Sequence, residues 1–325
     1  VLTGIKPTGY AHLGNYFGAI KPAIELSKSE EFESYYFIAD YHALTTLKNK
    51  EEMQEYFYNI ACTWLACGLD PNKVVFYRQS DIPEVFELNW ILSNVTPKGL
   101  MNRAHAYKAI VERNEAEKQE KDFGVNMGLY NYPILMAADI LLFETNLVPV
   151  GLDQKQHIEI ARDIANSFNK KYGETFVMPD GLIEEEVCTL VGLDGRKMSK
   201  SYGNTIQLFT SENVLKKSIN RIVTDSRLPG EPKDADCTVN KLYKLFVSAE
   251  EAKIFEKKLL DGLSWGEAKK ELFEVANRYI SPMREKFEYF QAHKNEVDEL
   301  LRLGAKKARV VAREVLDRAR KAIGV

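Results

Sequence analysis

Two lysines that flank a small hydroxyl residue are the most chemically suggestive group in the chain. They lie in the run Lys197-Met198-Ser199-Lys200-Ser201, directly after the pair Asp194-Gly195. Asp-Gly is a turn signal, so the run is predicted to lie on a loop rather than in a helix. Two ammonium groups on a mobile loop could close around the phosphates of a nucleotide and stabilise a departing pyrophosphate. A solvated basic turn is the alternative that this run alone leaves open.

A second group suited to phosphate lies far upstream, in His12-Leu13-Gly14-Asn15. It is predicted to follow a strand and open a helix, whose free N–H groups and partial positive charge attract phosphate. Gly14 lets a flat base approach the backbone because it has no Cβ. His12 can donate to a phosphate oxygen that gains charge in the transition state. A helix-capping role for His12 is the competing interpretation.

One acidic residue stands in an otherwise apolar segment. Asp139 is the only polar residue from 134 to 142, and it follows Tyr132 and Met136 at a spacing that puts all three on one helix face. A carboxylate in such surroundings is costly unless it is paired. It could cap a neighbouring loop, or it could face an aromatic pocket and accept the single N–H of an indole.

These groups need a sheet that brings their loops together. Strand patterns at 2–5, 34–39 and 73–78 alternate with helix patterns at 14–26, 51–67 and 83–93, and a strand at 147–150 lies between helices at 132–142 and 154–168. This order predicts an α/β fold with a doubly wound, parallel, Rossmann-like sheet. Ligands bind such sheets beyond the carboxyl ends of the strands. His12, Asp40 and Gln79 all follow strand ends.

The chain changes character after Asn204. Helices are predicted at 211–223, 239–246, 250–260, 265–290 and 294–323, with little strand signal. The sequence therefore predicts a catalytic domain at 1–205 and an all-helical domain at 206–325, whose last helix could fold back on the first domain. The charged segment 112–122 is predicted to be an exposed, helix-prone insertion.

Composition limits the possible functions. The 325 residues are 45% hydrophobic and 28% charged, as in ordinary globular proteins. The formal net charge is −3, so a nucleic-acid partner would need a local basic patch. No apolar run approaches the roughly 18 residues of a membrane span. The four cysteines show neither zinc nor Cys-x-x-Cys spacing, which favours a reducing, cytoplasmic compartment.

The lysine run and the His-x-Gly run, in this order and about a domain apart, resemble the KMSKS and HIGH signatures of class I aminoacyl-tRNA synthetases. The intervening segments Met136-Ala137-Ala138-Asp139-Ile140-Leu141 and 148–157 are similar to tryptophanyl-tRNA synthetases in particular. Asn15 replaces the second histidine of HIGH, as is familiar in these enzymes. The resemblance runs in ordered motifs from Leu2 to about Asn204 and more loosely beyond. It implies that ATP activates L-tryptophan to tryptophanyl-adenylate, which then acylates tRNA(Trp).

The resemblance also implies roles for individual residues. Catalysis falls to His12, Lys197, Lys200 and Lys108. The residues expected to bind ATP are Lys6, Pro7, Thr8, Gly14, Asn15, Gly151, Leu152, Asp153, Val187, Lys197, Met198, Ser199, Lys200 and Ser201. Those expected to bind tryptophan are Asp139, which would accept the indole N–H, with Tyr132, Met136, Gln154 and His42.

Several details depart from the family pattern. The family has an acidic residue where Leu152 stands, and Ile110 replaces a second lysine near Lys108. The family presents a backbone group to adenine at a position that corresponds to Val187 or Cys188. A local difference in length leaves the alignment between these two residues ambiguous. A structural role is expected for His157.

The resemblance extends to cofactors and partners. It implies Mg²⁺ held mainly by ATP and water, and a homodimer. Some tryptophanyl enzymes carry an iron–sulfur cluster in the C-terminal half, where this chain has only Cys237, so no cluster is predicted. Basic residues on the later helices could contact tRNA phosphates, although a solvated helix face explains most of them equally well. They include Lys216, Lys217, Arg221, Lys306, Lys307, Arg309 and Arg313.

Three other functions share parts of this pattern. A tyrosyl-tRNA synthetase has the same fold and both signatures but needs different groups around a phenol. A small-molecule nucleotidyltransferase shares the His-x-Gly-His run but usually lacks so large a helical domain. A non-catalytic tRNA-binding paralogue would not need the intact lysine run.

Overall fold

The computed structural model describes residues 1–151, 155–183 and 190–325. Its centre is a parallel sheet of β1 (Leu2–Ile5), β2 (Ser34–Ile38) and β3 (Val74–Arg78), paired in that order. A second parallel pair, β4 (Leu147–Val150) and β5 (Asp180–Ile183), lies with β4 beside β1. The chain order therefore switches direction between β1 and β4, which confirms the Rossmann-like prediction and puts the expected ligand crevice at that junction.

Helices cover both faces of the strands. Those of the first 183 residues are α1 (Leu13–Asn15), which continues through a π-helical segment (Tyr16–Ile20) into α2 (Lys21–Leu26), then α3 (Asp40–Ala43), α4 (Lys50–Ala66), α5 (Glu84–Ser93), α6 (Lys98–Asn102), α7 (His105–Ala116), α8 (Met127–Leu141) and α9 (Lys155–Tyr172). In the described part of the chain, one short 3₁₀ turn, Gln79–Asp81, follows β3, and another, Lys200–Tyr202, overlaps the end of the lysine run.

Local signals explain most helix limits, and two predictions were wrong in their bounds. Helix α8 begins at Met127 rather than 132, because the Asn126 side chain caps it by accepting from Leu129 N, and Pro133 is accommodated inside the helix. Helix α7 begins at His105 and ends before Lys118, whose φ of +57° is left-handed.

The later part of the chain is helical, as predicted. Its helices are α10 (Glu212–Asn220), α11 (Thr238–Tyr243), α12 (Ala249–Leu260), α13 (Trp265–Ala292) and α14 (Lys294–Ile323). Ser248 and Ser264 start α12 and α13 with capping boxes, each side chain accepting from the backbone N–H three residues on.

Two hydrophobic clusters, one on each face of the sheet, hold the molecule together. One joins Tyr36, Ile38 and Trp64 to buried residues of α10 to α13. The other joins Phe37 and Tyr77 to α5, α8, α9 and the second half of α14. Apolar packing therefore crosses the predicted boundary at residue 205 on both faces.

Helix α14 lies directly on β3. A Cβ added at Gly304 would come within 1.7 Å of the Phe76 carbonyl oxygen, so only glycine permits this approach. Further along, Arg309 and Arg313 both bind Glu84 of α5. Burial opposes the ionisation of Glu84, but the hydrogen bonds from these arginines outweigh it and lower its pKa. Among the described residues, no helix is long and apolar enough to cross a membrane.

Candidate active site

A cavity of about 430 Å³ opens at the junction between β1 and β4. Gly4 and Lys6, Val148 and Phe37 line it from β1 and its end, from β4 and from β2 respectively. A Cβ at Gly4 would lie 2.5 Å from the Phe37 ring, so a larger residue there would displace that ring. Tyr132, Met136, Asp139, His42 and His157 complete the polar and aromatic lining. Three of these are the residues that the sequence placed on one face of α8, and the structure brings them to one cavity.

Asp139 is the buried polar centre of this cavity, with 2% of its surface exposed. Its carboxylate accepts from Gln79 Nε2 at 2.9 and 2.8 Å, one distance to each oxygen. The Nε2 of His42 lies 2.9 Å from Oδ2. These two donors come from the turns after β3 and β2. Their hydrogen bonds compensate the free-energy cost of burying the carboxylate.

Tyr132 and His157 form a second polar contact in the lining. The Tyr132 hydroxyl lies 2.5 Å from His157 Nε2, and burial raises the pKa of Tyr132. His157 projects from α9, so this contact ties α8 to α9 beside Asp139.

His12 lies at the N-terminus of α1, within electrostatic range of Lys200. Its Nδ1 accepts from Asn15 N at 3.3 Å, while Asn15 Oδ1 accepts from His12 N at 3.1 Å, a reciprocal capping box. Because Nδ1 is an acceptor, the ring proton of the neutral imidazole is on Nε2. Burial, and then the charge of Lys200, lower the pKa of His12 to about 4. Capping and phosphate donation are therefore compatible, since they use different nitrogens.

The segment that carries the lysine run is joined to the His12 turn by backbone bonds. Leu13 N donates to Ile206 O, and Leu208 N donates to Ala11 O, both at 2.9 Å. Met198 is buried, and its sulfur lies 3.6 Å from the position that a Cβ on Gly14 would occupy. Two motifs almost 200 residues apart thus form one surface.

The buried side chain of Asn204 forms hydrogen bonds with several residues in and before the lysine run. Its side chain is 3% exposed and donates to Asp194 Oδ1 at 2.7 Å and to Lys197 O at 3.1 Å. Its Oδ1 accepts from Ser199 N at 2.8 Å, and the hydroxyls of Ser199 and Ser201 lie 2.8 Å apart.

Two of the expected phosphate lysines converge on the crevice. Lys200 Nζ donates to Thr8 O at 3.3 Å, and Lys6 Nζ donates to Thr45 Oγ1 at 2.8 Å. Loss of hydration lowers the pKa of both lysines. Lys197 is exposed on the same loop. The turn through Pro7 lies between Lys6 and the Thr8 carbonyl that Lys200 binds. Positive charges on both sides of a turn are suited to binding a polyphosphate.

Comparison with known proteins agrees with this arrangement. Residues 1–296 match the family model described as class I tRNA synthetases (W and Y). A tryptophan--tRNA ligase of Neisseria meningitidis is 52% identical over 327 residues, covering 100% of this chain and 97% of the relative. One of Bordetella pertussis is 53% identical, covering 100% and 73%. The chain belongs to the tryptophanyl-tRNA synthetase family.

Solved structures of tryptophanyl-tRNA synthetases share the whole fold. The Campylobacter jejuni enzyme complexed with ADP and tryptophan is 44% identical, with a TM-score of 0.92 over 100% of this chain and 99% of the other. The Mycoplasma pneumoniae enzyme is 28% identical, with a TM-score of 0.80 over 100% and 97%. The tyrosyl and nucleotidyltransferase alternatives are not favoured by these relatives.

Some residues that the tryptophanyl-tRNA synthetase resemblance assigned are not brought to the cavity. Lys108 is exposed on α7 and lies 3.5 Å from Glu112, and it is not among the cavity-lining residues of the described chain. Gly151 follows the end of β4. The expected contacts of Leu152, Asp153, Gln154 and Val187 lie outside the described residues.

Sequence reasoning placed Gln79 at the carboxyl edge of the sheet, where ligands bind, but assigned no partner to it or to Thr45. Thr45 follows the short helix α3 at the same edge. Their partners, Asp139 and Lys6, are distant in sequence, so the contacts themselves were not visible.

Proposed function

We propose that the cavity around Asp139 holds the tryptophan side chain and that the adjoining crevice holds ATP. As a tryptophan--tRNA ligase, the protein forms tryptophanyl-adenylate and pyrophosphate and then charges tRNA(Trp). The observation that carries the assignment is a buried carboxylate that faces an otherwise largely apolar cavity, next to Lys6. Phenylalanine in that cavity would leave the carboxylate without its ligand donor, and such sites reject by roughly 10⁴ or more.

Activation in this geometry needs no protein nucleophile. The tryptophan carboxylate attacks the α-phosphate, and the electron pair of the breaking bond leaves with pyrophosphate. Neutral His12 donates from Nε2 to a phosphate oxygen that gains charge, while Lys200 and Lys197 bind the departing phosphates. Positioning and charge stabilisation therefore supply the rate enhancement.

The groups that face the crevice suit phosphate rather than a protein-held cation. Lys6, Lys200 and the N-terminus of α1 are all electropositive. Within the described ranges, no cluster of three or more histidine, cysteine or acidic residues is arranged to hold a metal ion. We propose that Mg²⁺ is bound by the ATP oxygens and water, where it would neutralise phosphate charge.

ATP–pyrophosphate exchange with each standard amino acid tests the amino-acid assignment. Exchange should depend on tryptophan, with tyrosine and phenylalanine weaker by orders of magnitude. Comparable exchange with tyrosine would contradict it.

We further propose that the helices after residue 205 contact tRNA. The support is a set of exposed cations on α10, at its C-cap and on α14, namely Lys216, Lys217, Arg221, Lys306 and Lys307. Arg309 and Arg313 are weaker candidates than the sequence suggested, because both already bind Glu84. Phosphate contacts should make tRNA binding salt-dependent, with base contacts adding specificity for the anticodon.

Neutralising Lys216, Lys217 and Arg221 together tests this role. The variant should form tryptophanyl-adenylate at the wild-type rate but charge tRNA(Trp) poorly, with a smaller dependence on salt. Lys28→Ala, at an exposed position two residues after the end of α2, is the control. Unchanged charging at physiological salt would leave the helical part as a structural or dimer element.

A homodimer is also proposed. Three large apolar side chains between α5 and α8 are strongly exposed, Trp90 at 70%, Phe123 at 59% and Met127 at 67%. An interface would remove such surface from water. Sedimentation of the wild type and of Trp90→Glu should show a dimer that the variant weakens, whereas a monomeric wild type would refute the proposal.

A further inference from the structure

Among the described residues, two side chains bind the carboxylate of Asp139, and one of them lines the cavity. His42 lines the cavity, whereas Gln79 is absent from the cavity lining in the described part of the chain and is 0% exposed. Its Nε2 reaches both oxygens of Asp139, at 2.9 and 2.8 Å. Gln79 therefore holds the carboxylate from behind, where it cannot touch a ligand.

We propose that Gln79 is a positioning residue that sets how strongly the enzyme selects the indole N–H of tryptophan. The inference rests on the proposed placement of the indole beside Asp139. A single amide nitrogen that donates to both oxygens restricts rotation of the carboxylate about its Cβ–Cγ bond. The acceptor that faces the ligand is thereby fixed before tryptophan arrives, which lowers the cost of binding.

The donors are shared unequally between the two oxygens. Oδ2 of Asp139 has both His42 and Gln79 as donors, whereas Oδ1 has only Gln79 among the described residues. A carboxylate offers about four lone-pair sites. Oδ1 is therefore the oxygen with more capacity for an additional N–H donor, and Gln79 determines where it points.

The orientation of the Gln79 amide follows from the same contact. Its Oε1 is buried without a hydrogen-bond partner in the described structure, which is uncommon for such a group. Reversing the amide would place its oxygen against the carboxylate, so the donor end is held toward Asp139. The fold thus keeps the hydrogen bonds of Gln79 Nε2 and leaves Gln79 Oε1 without one among the described residues.

A second contact fixes the turn that carries Gln79. Ser80 N donates to Asp40 Oδ1 at 3.1 Å, and its hydroxyl donates to Oδ2 at 2.5 Å. Asp40 is the first residue of α3, which also carries His42. The turns that supply both donors are therefore tied to each other at the sheet edge.

Gln79→Met tests the proposal, because it keeps the length of the side chain and removes the donor. Exchange is measured with tryptophan and with the analogue in which sulfur replaces the indole N–H. The ratio of the two kcat/KM values should fall roughly tenfold, with KM for ATP unchanged. Ser80→Ala, which loosens the same turn without removing a donor from Asp139, should keep most of the ratio.

The outcomes separate this inference from the function on which it rests. An equal loss for both substrates in Gln79→Met, with the ratio preserved, would make Gln79 merely structural and overturn the proposal. If the wild type itself fails to distinguish tryptophan from the analogue, the assignment of Asp139 is wrong instead.

Gln79→Glu gives a second test that does not depend on how well the methionine variant folds. The introduced carboxyl can donate to Asp139 when protonated and repels it when ionised. The selectivity ratio should approach the wild-type value in mild acid and fall as pH rises. A ratio equal to that of the wild type at every pH would overturn the proposal.

Discussion

The two halves of the crevice are built by opposite means. On the side proposed for tryptophan, Asp139 is buried, and Gln79 and His42 bind it from two turns of the sheet edge. On the side proposed for phosphate, Lys197 and Lys200 lie on an exposed turn whose backbone is bonded by one buried side chain, Asn204. One polar group is therefore fixed directly by its neighbours, whereas the two lysines are fixed only through the backbone that carries them.

Removing a loop charge should have the largest kinetic effect. Lys197→Ala and Lys200→Ala should each lower the exchange kcat by about 10²–10³, because each removes a charge that acts mainly on the transition state. Tryptophan affinity, measured by fluorescence, should change little, and Lys28→Ala should change neither. A parallel loss of tryptophan affinity would show that the two sides are not independent.

Asp139→Ala should impair recognition of tryptophan, on the other side of the crevice. We expect kcat/KM for tryptophan to fall roughly a hundredfold, since a hydrogen bond to a charged acceptor is lost and two donors are left unpaired. KM for ATP should stay near the wild-type value. Tryptophan activation that survives within a few-fold would reject the indole assignment.

Asn204→Ala sharpens the comparison by loosening the loop without removing a charge. Three hydrogen bonds disappear, so the free energy of unfolding should decrease by about 1–3 kcal/mol and KM for ATP should rise several-fold. Tryptophan binding should be unaffected. Exposed Asn72 provides the matched control, and an unchanged KM for ATP would show that the loop is held by other contacts.

The smallest expected effect concerns the pH dependence of His12. Its imidazole should titrate near pH 4 by NMR and at higher pH in Lys200→Ala, because burial and the lysine charge both lower its pKa. Between pH 6.5 and about 4, the unfolded chain binds a proton that the folded chain does not. The free energy of unfolding should therefore fall as pH decreases through this window, and less so in His12→Asn. A titration midpoint near 6.5 would contradict the described burial.

The sequence predicted the elements with strong periodicity and missed those without it. β1 to β4 are rich in Val, Ile, Tyr and Phe, whereas the strand Asp180–Ile183 begins with Asp-Gly, two residues that are rare in strands, and was not predicted. The helix predicted at 132–142 begins earlier, because the Asn126 cap starts α8 at Met127.

In the site, the sequence motifs identified the lysine run, His12 and Asp139. They did not identify the hydrogen-bond partners that position these residues. The donors of Asp139 lie 60 and 97 residues away in sequence, and no local pattern reports a contact over such a separation. The roles of Asp153, Gln154 and Val187 remain predictions.

The packing of α14 on β3 also bears on how the protein is made. Ala308 and Ala312, both 0% exposed, cover a sheet whose strands are translated more than 200 residues earlier. A nascent chain that has reached Asn204 already contains both catalytic signatures, yet each face of its sheet still lacks part of its helical cover. Exposed sheet of this kind is prone to aggregate, so this chain should need shielding until α14 leaves the ribosome.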